Sequence, residues 1–225
     1  MFRKIFVMFS LSLISISSIV SAGVEIGGTR LIYQEDNNQA SISLNNPEEK
    51  PFLIQSWVSE DEFSDERDKI FITTPPLFKL TPHTQNSIRV IRTDDKIPSD
   101  RESVYWLNIK TIPSSSPGVT NELVIAIKSK IKLFYRPSGL KGEPSLAYQQ
   151  LIFSNDNGVL KIHNPSPYSV TLSELRVNGI QVDKPPMVLP FSTVPLPQVK
   201  KSKGNISWTA INDFGGITAK HSVNL

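Results

Sequence analysis

Glu122–Pro137 reads ELVIAIKSKIKLFYRP, and the rest of the chain is best understood as the frame that holds it. Successive side chains of an extended strand point to opposite faces, so Leu123, Ile125 and Ile127 share one side. Lys128, Lys130, Lys132 and Arg136 follow at once. The stretch predicts a strand whose aliphatic stripe runs into a cationic end, and on pattern alone it also fits a half-buried strand of a β-sandwich with solvated lysines. Downstream, Pro137–Pro144 (PSGLKGEP) crowds prolines and glycines into a linker of the kind found between domains. Upstream, Pro113–Gly118 (PSSSPG) is a loose connection that can deliver the stretch to a sheet edge, where unpaired backbone normally needs protection.

Further out, short apolar runs recur between turn residues. Gly23–Tyr33 predicts an edge strand interrupted by a flexible Gly27-Gly28 step, which would permit close backbone approach. Ala40–Leu44 alternates, and Asn45-Asn46-Pro47 is a turn. In Pro51–Val58, Leu53, Gln55 and Trp57 oppose Phe52, Ile54, Ser56 and Val58. Glu60–Lys69 reads as a charged, solvated connection. Ile70–Leu80 contains Thr74-Pro75-Pro76, where proline excludes central sheet pairing and a cis bond is possible. Ser87–Ile91 and Ser103–Ile109 complete the strands of the first half. Beyond the linker, strands are predicted at Ala147–Phe153, Val159–His163, Tyr168–Leu172, Leu175–Val177, Met187–Leu189, Ile206–Ile211 and Ala219–Val223.

A length of 225 residues with 17 prolines and little helical periodicity fits an all-β chain of two sandwiches, about 100 residues each. The predicted division is a leader over 1–22, an N-terminal domain over 23–140 and a C-terminal domain over 145–225. The leader combines Arg3 and Lys4, an apolar core from Ile5 to Val20 and the small-residue exit Val20-Ser21-Ala22. Its apolar run of about 16 residues is short of the ~20 that span a bilayer, which favours cleavage before Gly23 over an anchor. Removing Arg3 and Lys4 takes 24 basic residues to 22 against 21 acidic ones, so the sequence pI near 9.0 owes much to the leader and gives no global signature of nucleic-acid binding. Cysteine is absent, which removes disulfides, thiol catalysis and thiolate metal sites.

Chemistry is hard to find. There is no Gly-x-Ser-x-Gly nucleophile motif, and His83, His163 and His221 lack ligand spacing. Gly27-Gly28 lacks the lysine and helix start of a phosphate loop. The expectation is a protein that is not an enzyme and has no catalytic residues, cofactor, metal or nucleotide.

Taken together, GGTR at Gly27–Arg30, PSDRESVYWLN at Pro98–Asn108, IKLFYRP at Ile131–Pro137 and INDFGG at Ile211–Gly216, with TPP at Thr74–Pro76 and NPSPY at Asn164–Tyr168, resemble the periplasmic chaperones of the chaperone-usher pathway. The resemblance spans almost the whole chain in the family's order. It implies two immunoglobulin-like β-sandwich domains set at an angle, like a boomerang, and a periplasmic location. The partners it implies are pilus subunits (pilins and adhesin) and an outer-membrane usher, with no nucleic acid and no membrane span. Capping of the free chaperone by self-association stays open.

Carried over residue by residue, Arg30 and Lys132 match the cations that anchor the subunit's C-terminal carboxylate. Leu123, Ile125 and Ile127 match the apolar residues of the donor strand, about 122–135. Glu102, Arg136 and Asp213 match the charge network between domains. The short connection Ser114–Asn121 resembles the branch that serves rod-like pili. One point departs from the family's pattern, and one is awkward within the strand itself. Pro82-His83 replaces the family's frequent Pro-Gly, so this turn is expected to close differently. Lys132 also lies, by strand parity, on the face opposite the three aliphatics, so a bulge, a twist or an end-on approach must bring it to the guest's terminus. The alternative is an exported two-domain adhesin or pilin-like protein whose alternating strand is simply core.

Overall fold

The computed structural model describes residues 23–94, 96–115, 123–197, 199 and 204–225. The leader at 1–22 and most of the Ser114–Asn121 connection, including its length-based branch assignment, lie outside the described residues. Nine strands build the first half: β1 (Glu25–Ile26), β2 (Arg30–Gln34), β3 (Ala40–Asn46), β4 (Phe52–Ser59), β5 (Phe71–Thr74), β6 (Leu77–Leu80), β7 (Thr84–Arg92), β8 (Ser103–Pro113) and β9 (Ile127–Arg136). They form two sheets, β1-β3-β7-β5 and β2-β9-β8-β4-β6. Of the two opposed rows in β4, Phe52, Ile54, Ser56 and Val58 is the buried one, and its apolar members join one core with Tyr33, Leu44, Ile88, Leu107 and Leu133. Tyr33, Phe71, Tyr105 and Tyr135 pack ring against ring at its centre, with centroids 4.8–6.1 Å apart.

The second half follows a 3-10 helix, Pro144–Gln150. It contains β10 (Ile152–Asp156), β11 (Val159–His163), β12 (Val170–Val177), β13 (Ile180–Gln181), β14 (Met187–Val188), β15 (Thr193–Leu196), β16 (Asn205–Ala210) and β17 (His221–Asn224). One sheet is β10-β11-β15; the other is β13-β12-β16-β17, with β14 also paired to β12. A second core gathers round Trp208, whose indole Nε1 donates to the Tyr148 carbonyl at 2.8 Å. The chain is therefore all-β, with two immunoglobulin-like sandwiches.

Four sequence expectations need correction. The single strand read over Gly23–Tyr33 is two: β1 pairs with β3 in one sheet and β2 with β9 in the other. The chain changes sheets at Gly27-Gly28, where the Gly27 N–H donates to the Ser43 carbonyl at 2.9 Å and a Cβ on Gly27 would lie 2.0 Å from Ser43 Oγ. The strand read from Ala147 begins at Ile152, because Pro144 opens a 3-10 turn that buries Ala147 and Tyr148. The separate strands at Tyr168–Leu172 and Leu175–Val177 are one, β12, broken in pattern by a register shift between Leu172 and Glu174. His83 does not close its turn differently: at φ 54° it takes the left-handed region that glycine fills most cheaply. Thr74-Pro75 is cis, and the chain crosses there from the first sheet to the second.

The two sandwiches use the same corner. Asn46 and Asn164 each precede a proline and are fully buried. The Asn46 amide donates to the carbonyls of Lys50, Leu80 and Thr81, while its oxygen accepts the Glu48 N–H. Asn164 donates to Tyr168, Val188 and Leu189 and accepts from the Ser166 N–H and hydroxyl. Removing either amide leaves buried carbonyls one donor short. Asn46→Ala and Asn164→Ala are each expected to lower stability by about 2–3 kcal/mol, read as a lower urea midpoint at unchanged slope. A shift of no more than a few tenths of a kcal/mol would show that water replaces the amide without loss.

Candidate functional site

β9 is an unfinished edge. It pairs with β8 from Ile127↔Thr111 to Tyr135↔Ser103, but β2 covers its other side only from Lys132 to Arg136. Among the described residues, Ile127 to Ile131 has no strand on that side. The odd-numbered row begins inside the sandwich, where Ile131, Leu133 and Tyr135 are buried. It then runs out of its own core: Ile127, Ile125 and Leu123 are 55%, 63% and 83% exposed. The strand predicted to start near residue 122 forms a ladder only from Ile127, and Leu123–Ala126 has no regular secondary structure. Continuing the register would set Ile125 opposite Pro113, whose nitrogen has no hydrogen to donate.

No bulge interrupts the β8–β9 register, so Lys132 stays on the face opposite the aliphatic row. Tertiary pairing brings the two features together in another way. β2 runs parallel to β9 and starts at Arg30, directly opposite Lys132. The cations therefore stand side by side on neighbouring strands, about 4.8 Å apart in backbone spacing, where the uncovered edge ends. An extended segment laid along that edge meets them end-on.

The three lysines of this face have different fates. Glu60–Lys69, read from sequence as a solvated charge run, is tied down onto β9. Asp65 accepts from Lys128 Nζ at 2.7 and 2.8 Å and lies 3.4 Å from Lys130 Nζ, which also donates to the carbonyls of Ser64 and Glu62. Lys132 lies 5.2 Å from the centre of the Trp106 ring and, among the described residues, has no ion pair. Burial, reinforced by repulsion from Arg30, holds its ammonium below the usual lysine range, against the attraction of Glu62. Burial likewise lowers Arg30, against attraction from Asp213 and Glu102. Arg30 donates Nη1 to the Ile211 carbonyl of the second sandwich at 2.9 Å and stacks over Phe134, while its Nε is buried and, among the described residues, has no hydrogen-bond partner. Among the described residues neither cation makes an ion pair, so both stay half-buried with only partial electrostatic compensation from Asp213, Glu102 and Glu62.

Glu102, Arg136 and Asp213 meet between the sandwiches. Arg136 Nε donates to Glu102 at 2.6 Å, and its Nη1 and Nη2 form a two-pronged contact with Asp213 at 2.8 and 3.0 Å. The second Glu102 oxygen accepts the Ser169 N–H at 2.8 Å, and the Glu102 N–H donates to the Pro167 carbonyl. Arg136 also stacks over Tyr168 at 5.5 Å. Burial works against the charge on Arg136, but hydrogen bonds to Asp213 and the attraction of Glu102 outweigh it and raise its pKa. Burial pushes the Glu102 carboxyl up, against the pull of Arg136. Breaking one member of a buried pair strands the other at a cost of about 3–5 kcal/mol. Arg136→Ala is expected to lose that stability and to widen the distribution of angles between the sandwiches, seen as a larger radius of gyration by small-angle scattering. An unchanged scattering profile would show that the network does not set the angle.

Sequence reasoning missed the docking of Glu60–Lys69, the contact of Arg30 with Ile211 and the exposure of Phe214. The acidic residues of DEFSDERDK, opposite in charge to Lys128 and Lys130, could have suggested the first. Phe214 is 96% exposed at the tip of the Asn212–Gly216 turn, which Asn212 Oδ1 holds by accepting the Phe214 and Gly216 N–H groups.

Fold and cleft together define a two-domain immunoglobulin-like protein with an unfinished sheet edge that leads to two cations which, among the described residues, make no ion pair. Residues 23–141 match the family described as pili and flagellar-assembly chaperone, PapD N-terminal domain, and residues 146–222 match the pili assembly chaperone PapD, C-terminal domain. The probable fimbrial chaperone LpfB of Escherichia coli O157:H7 is 39% identical over 220 residues, covering 96% of this chain and 94% of that protein. The chaperone protein FocC of Escherichia coli is 39% identical over 203 residues, 88% of each. Among solved structures, the complex of the Salmonella enterica SafA pilin with the SafB chaperone aligns with a TM-score of 0.82 at 32% identity, over 92% of this chain and 99% of that one. The chain belongs to the family of pili assembly chaperones. Among the described residues, no helix is long and apolar enough to cross a membrane.

Proposed function

We propose that this chain is an exported periplasmic chaperone that binds pilus subunits by lending them the uncovered edge of β9 and passes them to an outer-membrane usher. Residues 23–140 serve as the subunit-binding domain and 145–225 as its C-terminal partner, after removal of 1–22. The carrying observation is the aliphatic row that is core at Ile131 and Leu133 and solvent-facing at Ile127, Ile125 and Leu123. Exposed strand edges with apolar side chains are liabilities, retained where another chain is meant to add to them. A subunit lacking one strand of its own sandwich supplies the matching groove. Main-chain hydrogen bonds give affinity, and the three aliphatics contribute about 1.5–3 kcal/mol each before ordering costs. Arg30 and Lys132 hold the subunit's terminal carboxylate and so set register. The same edge can pair with a second copy when the chaperone is free. The adhesin alternative has less support, because Trp208 is buried in its core and Trp57 and Trp106 lie within strands.

The test is co-expression with a candidate pilin, purification by a tag on the pilin and N-terminal sequencing of what accompanies it. A stoichiometric partner that begins at Gly23 is the expected result. Recovery of the pilin alone, with the chaperone present and folded, would overturn the reading.

A further inference from the structure

Behind Arg30 the cleft between the two sandwiches holds a cavity of about 170 Å³ that is open on one side. Its walls come from both halves of the chain: Phe134 from β9, Tyr148 from the 3-10 helix, and Tyr168 and Ile211 beside β12 and β16 give it an apolar side, while the paired charges Glu102, Arg136 and Asp213 line the other. Phe214, on the Asn212–Gly216 turn, forms its rim with its ring almost wholly in solvent. Pockets for whole small molecules run to about 300 Å³ or more, whereas an apolar cavity of about 150 Å³ accommodates a single benzene ring. This space therefore suits one side chain. Arg30 lines the cavity and also stands at the end of the uncovered β9 edge. The residue nearest the cavity, when a chain terminus is held there, is the last one.

We infer that the cavity takes the side chain of the bound subunit's C-terminal residue and that Phe214 packs over it, so the cleft selects a ring-sized apolar side chain beside the carboxylate. This rests on the reading that Arg30 and Lys132 hold that carboxylate. A fully exposed phenylalanine on a hydrogen-bonded turn is a rigid apolar anchor with nothing of its own to pack on. The pocket adds side-chain specificity to an anchor that otherwise recognises only a charge.

The probes are synthetic twelve-residue peptides of one alternating apolar sequence, ending in Phe, Leu or Gly, each as free acid and as amide. Binding to the mature full chain is measured by titration calorimetry. The expected result is about a tenfold preference for Phe over Gly in the acid series, about 1.4 kcal/mol, with amidation weakening every peptide. Phe214→Ala, a surface change that should leave the unfolding midpoint in place, is expected to erase the Phe preference and retain the acid preference. An acid preference with no dependence on the last side chain overturns the pocket and leaves the carboxylate anchor standing. A Phe preference indifferent to amidation overturns both the anchor and the inference built on it. A Phe preference undiminished in Phe214→Ala overturns the assignment of Phe214 as the wall that selects.

Discussion

Arg30→Ala and Lys132→Ala are each expected to abolish recovery of a chaperone–subunit complex while leaving the chaperone folded. The two halves of that statement have separate physical origins. Truncating one partner of a desolvated, hydrogen-bonded charge pair costs about 2–5 kcal/mol, or about 30-fold to several thousand-fold in affinity, because the carboxylate is then left in the cleft without its partner. The free chaperone loses little, since Lys132 has no ion pair among the described residues and Arg30 makes a single cross-domain hydrogen bond. Lys132→Met should even stabilise the free protein slightly, by relieving repulsion between two half-buried cations. The sign is testable. A lysine held below its usual range in the fold binds fewer protons there than in the unfolded chain, so folding is penalised below its folded pKa. Stability then rises with pH from that value up to the unfolded one near 10.4. Lys132→Met should remove that rise. Co-purification of subunit with either alanine variant at wild-type yield would mean that the anchor lies elsewhere.

Ile125→Asp is the second large effect. At 63% exposure, Ile125 contributes little to the chaperone's own core, so the variant should unfold at the wild-type urea concentration. In the complex the same position enters a groove, and an unpaired carboxylate there forfeits about 1.5–3 kcal/mol of aliphatic transfer and adds the cost of burying a charge. A loss of at least a hundredfold in subunit affinity is expected, with Ile125→Val close to wild type as the shape control. In cells the subunit should disappear within a pulse-chase, because an unfilled groove exposes it to proteolysis. Survival equal to wild type would show that the odd-numbered row does not enter the subunit.

The Lys128 and Lys130 contacts bear on both experiments. These residues have the same charge and the same face as Lys132, yet Lys128 is paired with Asp65 and Lys130 is held between Asp65 and the Glu62 and Ser64 carbonyls. Alanine at either position should loosen the Glu60–Lys69 loop and leave carboxylate capture intact. That contrast separates a specific anchor from a general basic patch.

Much of the architecture was readable from local pattern. Period-two alternation in PFLIQSWV and SVYWLNI marks strands because the pleat dictates it, and only the fold shows which row of each faces its core. Bulges and prolines blur the pattern: the register shift splits β12 into two apparent strands, and Pro195 hides β15. The resemblance in Gly27–Arg30 and Ile131–Pro137 singles out Arg30 and Lys132, while their adjacency comes from a parallel pairing that strand parity does not reveal.

The amino-acid order alone settled that the chain is built of strands, that one of them has a greasy row ending in cations, and that acid and base nearly cancel once the first residues are set aside. Each is a property of neighbours along the chain. Folding decided the rest: that β2 runs parallel to β9 and begins opposite Lys132, that Asp65 claims two lysines and leaves the third, and that Ile131 is core while Ile127, four residues back on the same row, is not. These depend on ladder register and on loops docking across long separations in sequence, where a single step of register would exchange every inward side chain for an outward one.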